Sequence, residues 1–132
     1  MTLRFLDFEC SEDADGGHTW EAVASVSAAR WPEVLAEARG VLVWAHQAFP
    51  AGPGALDDGA DWGCAIDARR EPDHPLDLWF DAALGQWQGD VRVPEPEAGT
   101  TAFHTLTLTL CGHVAFADAF SQRWLGADGA AL

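Results

Sequence analysis

The sequence predicts an α+β fold: a curved antiparallel sheet of five or six strands packed against two amphipathic helices, in the order ββαββββα. Three observations carry this expectation. Apolar and polar residues alternate over several short stretches, most cleanly over 101–110, which is the period of a half-buried strand. Two other stretches, 31–48 and 113–125, repeat apolar residues every three to four positions, the period of a helix. Connections between the alternating stretches are short, and short connections favour antiparallel neighbours.

Residues 2–10 alternate, with Leu6, Phe8 and Cys10 on one face and Leu3 and Phe5 on the other. Apolar side chains on both faces predict an inner strand, or one covered by a helix. The polar run 11–17, with its Gly pair, reads as a turn. Residues 20–26 alternate again and pair with the first strand in a hairpin. The first helix follows over 31–48. Pro32 suits the first turn, where its missing N–H costs nothing, and Glu33 faces the positive end of the helix dipole. Val34, Leu35, Ala38, Val41, Leu42, Ala45 and Phe49 form its apolar stripe. Gly40 is expected to let this helix approach the sheet closely.

The run 49–54, rich in Pro and Gly, ends the helix and opens a long loop. Trp62, Cys64, Ile66 and Ala68 alternate as a third strand. Residues 76–80 and 86–93 form a hairpin around 81–85, and Pro94-Glu95-Pro96-Glu97 is a rigid linker. Over 101–110, His104, Leu106, Leu108 and Leu110 share the core face, and a Thr-rich face is wet or lightly covered. After Gly112 a second helix places Phe116, Phe120 and Trp124 four residues apart on one stripe. Residues 126–132 read as a frayed tail. The whole chain, 1–132, reads as one globular domain.

Charge bounds the function. The chain holds 21 Asp and Glu against seven Arg and no Lys, a formal net charge of −14. Such a surface repels phosphate backbones and anionic lipid, because it lacks the cations whose counterion release drives that binding. Nucleic-acid and membrane partners are therefore not expected. The start of the chain lacks the basic and apolar regions of an export signal, and no segment is apolar enough to span a bilayer, so a cytoplasmic protein is expected. Three Cys with no close pair predict buried free thiols and no disulfide framework.

Motifs for chemistry are weak. Asp13, Asp15 and Gly16 resemble the middle of a calcium loop, but Ala22 stands where a bidentate Glu is required. Cys111-Gly112-His113 lacks zinc spacing. His104 shares a face with three Leu and is expected to be a satisfied, partly buried His. No nucleophile elbow or phosphate loop is present, and no cofactor or metal is expected. Asp57, Asp58 and Asp61 cluster on a loop beside Trp62, and loops carry function. Trp79 alternates with Asp77 and Asp81, which places an aromatic ring among carboxylates, and Trp87 lies on the same hairpin. Trp beside Asp suits an Arg-bearing partner.

These residues, Trp62, Trp79, Trp87, Asp57, Asp58, Asp61, Asp77 and Asp81, are the candidate binding set. The expected function is a non-enzymatic interaction module, such as an inhibitor, an immunity-type protein or a chaperone, that docks a basic partner. Two alternatives are a small-molecule binder or enzyme using a groove between helices and sheet, and a homodimer formed through the Thr-rich face with Phe103.

Overall fold

The cleanest alternation in the sequence becomes the centre of the sheet. The computed structural model describes residues 3–12, 14, 16–71, 74–92 and 103–125. Its elements are β1 (Glu9–Glu12), β2 (His18–Ser27), α1 (Trp31–Ala48), β3 (Trp62–Arg70), β4 (His74–Pro75), β5 (Leu78–Asp81), β6 (Gln86–Gly89), β7 (Phe103–Gly112) and α2 (Val114–Trp124). Five strands make one antiparallel sheet in the order β1-β2-β7-β3-β4, and β5 and β6 pair in a separate two-stranded sheet. The predicted α+β class, with a sheet against two helices, holds.

Register assigns each face. Trp20, Ala22 and Ala24 of β2 stand opposite Leu110, Leu108 and Leu106 of β7, which in turn face Cys64, Ile66 and Ala68 of β3. This row of apolar side chains is the floor on which both helices lie. Val34, Leu35, Ala38, Val41, Leu42 and Ala45 of α1 are buried, as are Phe116, Ala117, Phe120 and Trp124 of α2. The sheet and helix stripes therefore bury each other, as an amphipathic pair must. Aromatic rings fill the seam. Phe116 stacks on Trp62 with centroids 5.4 Å apart, and Phe120 meets Trp20 at 4.8 Å. Trp44 is half-buried and contacts Phe49, Phe116, Phe120 and Trp124. Such ring pairs add about 0.5–1.5 kcal/mol each beyond their buried area.

The opposite face of the sheet carries Thr105, Thr107 and Thr109, flanked by Val23, Ser25, Ala65 and Asp67. No described helix lies on it. Thr105 is nonetheless buried, because its hydroxyl bridges Ser25 Oγ at 3.0 Å and Glu71 Oε1 at 2.8 Å.

Several expectations need correction. The first strand begins at Glu9, and it is an edge strand rather than an inner one. Residues 3–8 alternate for another reason: they lie against α1, where Glu37 accepts the backbone N–H groups of Arg4, Phe5 and Leu6 at 2.8, 2.9 and 2.7 Å. Their apolar side chains meet the core without joining the sheet. Gly40 faces the Trp124 ring of α2 and not the sheet, and a Cβ there would meet that ring at an ordinary 3.8 Å, so no close approach requires the glycine. Cys10 and Cys64 are exposed and Cys111 is half-buried, all as free thiols, so they are not buried core residues. The calcium-like pair Asp13 and Asp15, the linker 94–97 and the tail 126–132 lie outside the described residues.

Candidate functional site

The β5–β6 hairpin carries the exposed half of the aromatic set. Its register pairs Leu78 with Gly89, Trp79 with Gln88, Phe80 with Trp87 and Asp81 with Gln86. Alternation then sends Phe80 and Trp87 to one face and Trp79, Gln88 and Gln86 to the other. The inner face is fastened to α1: Trp87 is buried and its indole N–H donates to Leu35 O at 2.8 Å, while Phe80 meets Trp87 edge to face at 5.4 Å. The outer face is left to solvent, and Trp79 is 51 % exposed.

Local chemistry closes the hairpin at both ends. At the turn, Asp81 Oδ1 accepts Leu84 N–H at 3.1 Å, and Gly85 adopts φ +64°, which an L side chain resists. At the open end, Asp90 Oδ2 accepts the N–H of Asp77, and Asp90 N–H donates to Asp77 O, both at 2.7 Å. Gly89 sits between them at φ +91°, and a Cβ there would fall 2.9 Å from Cζ3 of Trp79. The Trp79 ring thus lies over a residue that has no side chain.

The remaining candidate residues divide. Trp62 is fully buried between Phe116 and His46, 5.4 and 5.1 Å away, so it offers no surface to a partner. Trp87 is the anchor of the hairpin rather than its contact. Asp77 is exposed beside Trp79, whereas Asp81 is half-buried and its carboxylate serves the turn. Asp57, Asp58 and Asp61 are exposed in the loop before β3, the first two within a 3-10 turn (Leu56–Asp58). His46 joins the two regions: its ring contacts Trp62 on one side and stacks on Phe80, 6.0 Å away, on the other. Among the described residues, no group of three or more His, Cys, Asp or Glu is placed to hold a metal ion.

Burial shapes the titrating groups. Partial burial pushes His46 below the usual imidazole range. His104 is 1 % exposed, against the Trp31 ring, and neither ring nitrogen has a hydrogen-bond partner among the described residues. The expectation of a satisfied histidine is therefore wrong. Burial, and then the nearby Arg70 cation, hold His104 below its ordinary pKa. Partial burial also pushes the half-buried Cys111 thiol up. That is the opposite of the depressed pKa of an activated thiolate.

A cleft runs between α1 and the hairpin, and the sequence did not reveal it. One lobe, of ≈ 310 Å³, is lined by Pro32, Leu35, Trp87 and Val91, and the other, of ≈ 290 Å³, by Val43, His46, Phe80 and Leu84. Arg39 lines both lobes. Its Nε–H donates to Gly85 O, and it pairs with no carboxylate among the described residues. Arg39 occupies the exposed side of α1, where sequence periodicity predicts only solvent. Its proximity to Gly85 depends on the hairpin folding back, which no local pattern encodes.

Comparison of the chain with protein-family models, with curated proteins and with solved structures finds no match.

Proposed function

We propose that this protein is a non-enzymatic binding module, of the inhibitor, immunity or chaperone kind, that docks a basic partner through the outer face of the β5–β6 hairpin. One observation carries the reading: Trp79 alone of the seven tryptophans is exposed, on a hairpin whose other face is bolted to α1. A prepositioned indole beside the exposed Asp77 carboxylate suits an arginine side chain, which stacks on the ring and pairs with the acid. The exposed loop carboxylates Asp57, Asp58 and Asp61 add to the negative field that a cationic partner meets. The net charge of −14 steers encounter with a cationic surface.

Affinity capture from the native host, followed by titration of the captured protein, tests the reading. Trp79→Ala is expected to weaken binding about 10- to 100-fold, the range of an aromatic hot spot. Rising ionic strength is expected to weaken it further. A captured partner indifferent to both salt and Trp79→Ala would overturn the proposal.

A further inference from the structure

The cleft beneath the hairpin is chemically unlike the rest of this acidic chain. Among the described residues no Asp or Glu lines either lobe, although 21 of the 132 residues of the chain are acidic. Its one Asp, Glu, Lys or Arg among the described residues is Arg39. Elsewhere Arg4, Arg30 and Arg69 are each engaged by a carboxylate. Arg39 instead spends one N–H on the Gly85 carbonyl, which fixes the guanidinium at the junction of the lobes. Its other four donors are not used by any described carboxylate. On one side lies an apolar wall of Leu35, Trp87 and Val91, with the short Pro32 and Ala36 of α1 beside it.

We infer that this cleft is a binding site for a small amphipathic monocarboxylate, with the carboxylate on Arg39 and an aliphatic tail against Leu35, Trp87 and Val91. Shape and charge select this class together. Each lobe is near the lower end of the volume that encloses a drug-sized ligand. One planar guanidinium matches one carboxylate by a two-point hydrogen bond. The surrounding field of −14 opposes any polyanion, so a nucleotide or a multiply charged phosphate is disfavoured, while a single charge bonded to Arg39 is not. The site lies on the inner face of the hairpin, away from Trp79, and its ligand differs in sign from the partner proposed above.

Octanoate is the probe, followed through the indole resonance of Trp87 and the Nε–H resonance of Arg39 in ¹⁵N-labelled protein. Saturable shifts of both with a Kd at or below about 1 mM are expected. Arg39→Gln should weaken octanoate binding at least tenfold. Arg123→Gln, the same charge change on α2, should leave it unaltered. Ala36→Trp should fill the apolar lobe and abolish binding, and 1-octanol should bind Arg39→Gln and wild type alike. The inference is overturned if octanoate does not saturate, if Arg39→Gln and Arg123→Gln behave alike, or if Ala36→Trp binds as wild type does. Positions 36 and 39 are both exposed on α1. Should Ala36→Trp fail to fold, the comparison of the two arginine variants decides alone.

Discussion

Gly112 is the last residue of β7, and the reason for glycine there lies one helical turn away. A Cβ on it would stand 2.5 Å from Cδ2 of Phe116, the ring that packs on both Trp20 and Trp62. Read along the chain, this glycine is only punctuation; its packing role depends on where α2 folds. Gly112→Ala should cost about 1–3 kcal/mol, the range of an overpacked core, in a denaturant melt. A change below about 0.5 kcal/mol would show that Phe116 yields freely. His104 poses the reverse case. Its alternation with three leucines correctly placed it on the core face, but alternation carries no information on hydrogen-bond partners. Two unpartnered ring nitrogens in the core cost stability that a similarly sized apolar group would not. His104→Leu should therefore stabilise the protein by about 1 kcal/mol at neutral pH. The folded-state pKa lies below the unfolded value of about 6.5, so above that pH both states are neutral and stability does not depend on this group. As pH falls below about 6.5, the unfolded chain takes a proton that the folded one refuses, and stability drops. His104→Leu should lessen that acid loss without removing it, because His46 is depressed in the same direction. Melting curves between neutral pH and pH 5 check both points, and an unchanged acid limb would contradict the account.

At the scale of elements, strongly periodic segments were legible and edges were not. The spacing of Val34, Leu35, Ala38, Val41, Leu42 and Ala45, all buried, placed α1 over Trp31–Ala48, and the Phe116, Phe120, Trp124 stripe placed α2. Residues 3–8 misled because alternation reports which side chains are buried, not what buries them. Here the cover is α1, and the backbone donors that a sheet would satisfy go to Glu37 instead. Glu37→Ala should release this segment. The expected cost is about 1–2 kcal/mol, since three charge-assisted bonds are exchanged for bonds to water at a partly exposed site. Amide exchange should speed up at Phe5 and Leu6 while the β7 amides stay protected. Equal exchange across both would make the loss global and refute a local anchor. The 78–89 hairpin was likewise visible as two runs around a turn, but its separation from the main sheet was not. The hairpin closes on itself through the paired Asp77–Asp90 bonds, a contact between residues thirteen apart that no local pattern encodes.

At the scale of the whole molecule, two terms oppose each other. An aromatic seam between one sheet face and two helices holds the fold, and a net charge of −14 works against it by self-repulsion. Among the described residues no helix is long and apolar enough to cross a membrane. The composition made both terms plain, but it did not tell which of seven tryptophans reaches solvent, because that depends on the hairpin docking on α1. Screening should relieve the repulsion: raising salt from about 0.1 M to about 1 M shortens the Debye length from about 10 Å to about 3 Å. The melting temperature should accordingly rise with sodium chloride, by several degrees for each kcal/mol gained. A flat or falling curve would mean that the acids are not a net burden on the fold.

The central claim, that this charge and one presented indole together receive a cationic partner, is tested most directly by titrating ¹⁵N-labelled protein with an arginine-rich peptide. The seven indole N–H resonances are followed at low and at high salt. The Trp79 resonance should move saturably at low salt and lose its response at high salt, while those of buried Trp20, Trp31 and Trp62 stay in place. A still Trp79, or a shift that ignores salt, would contradict the claim.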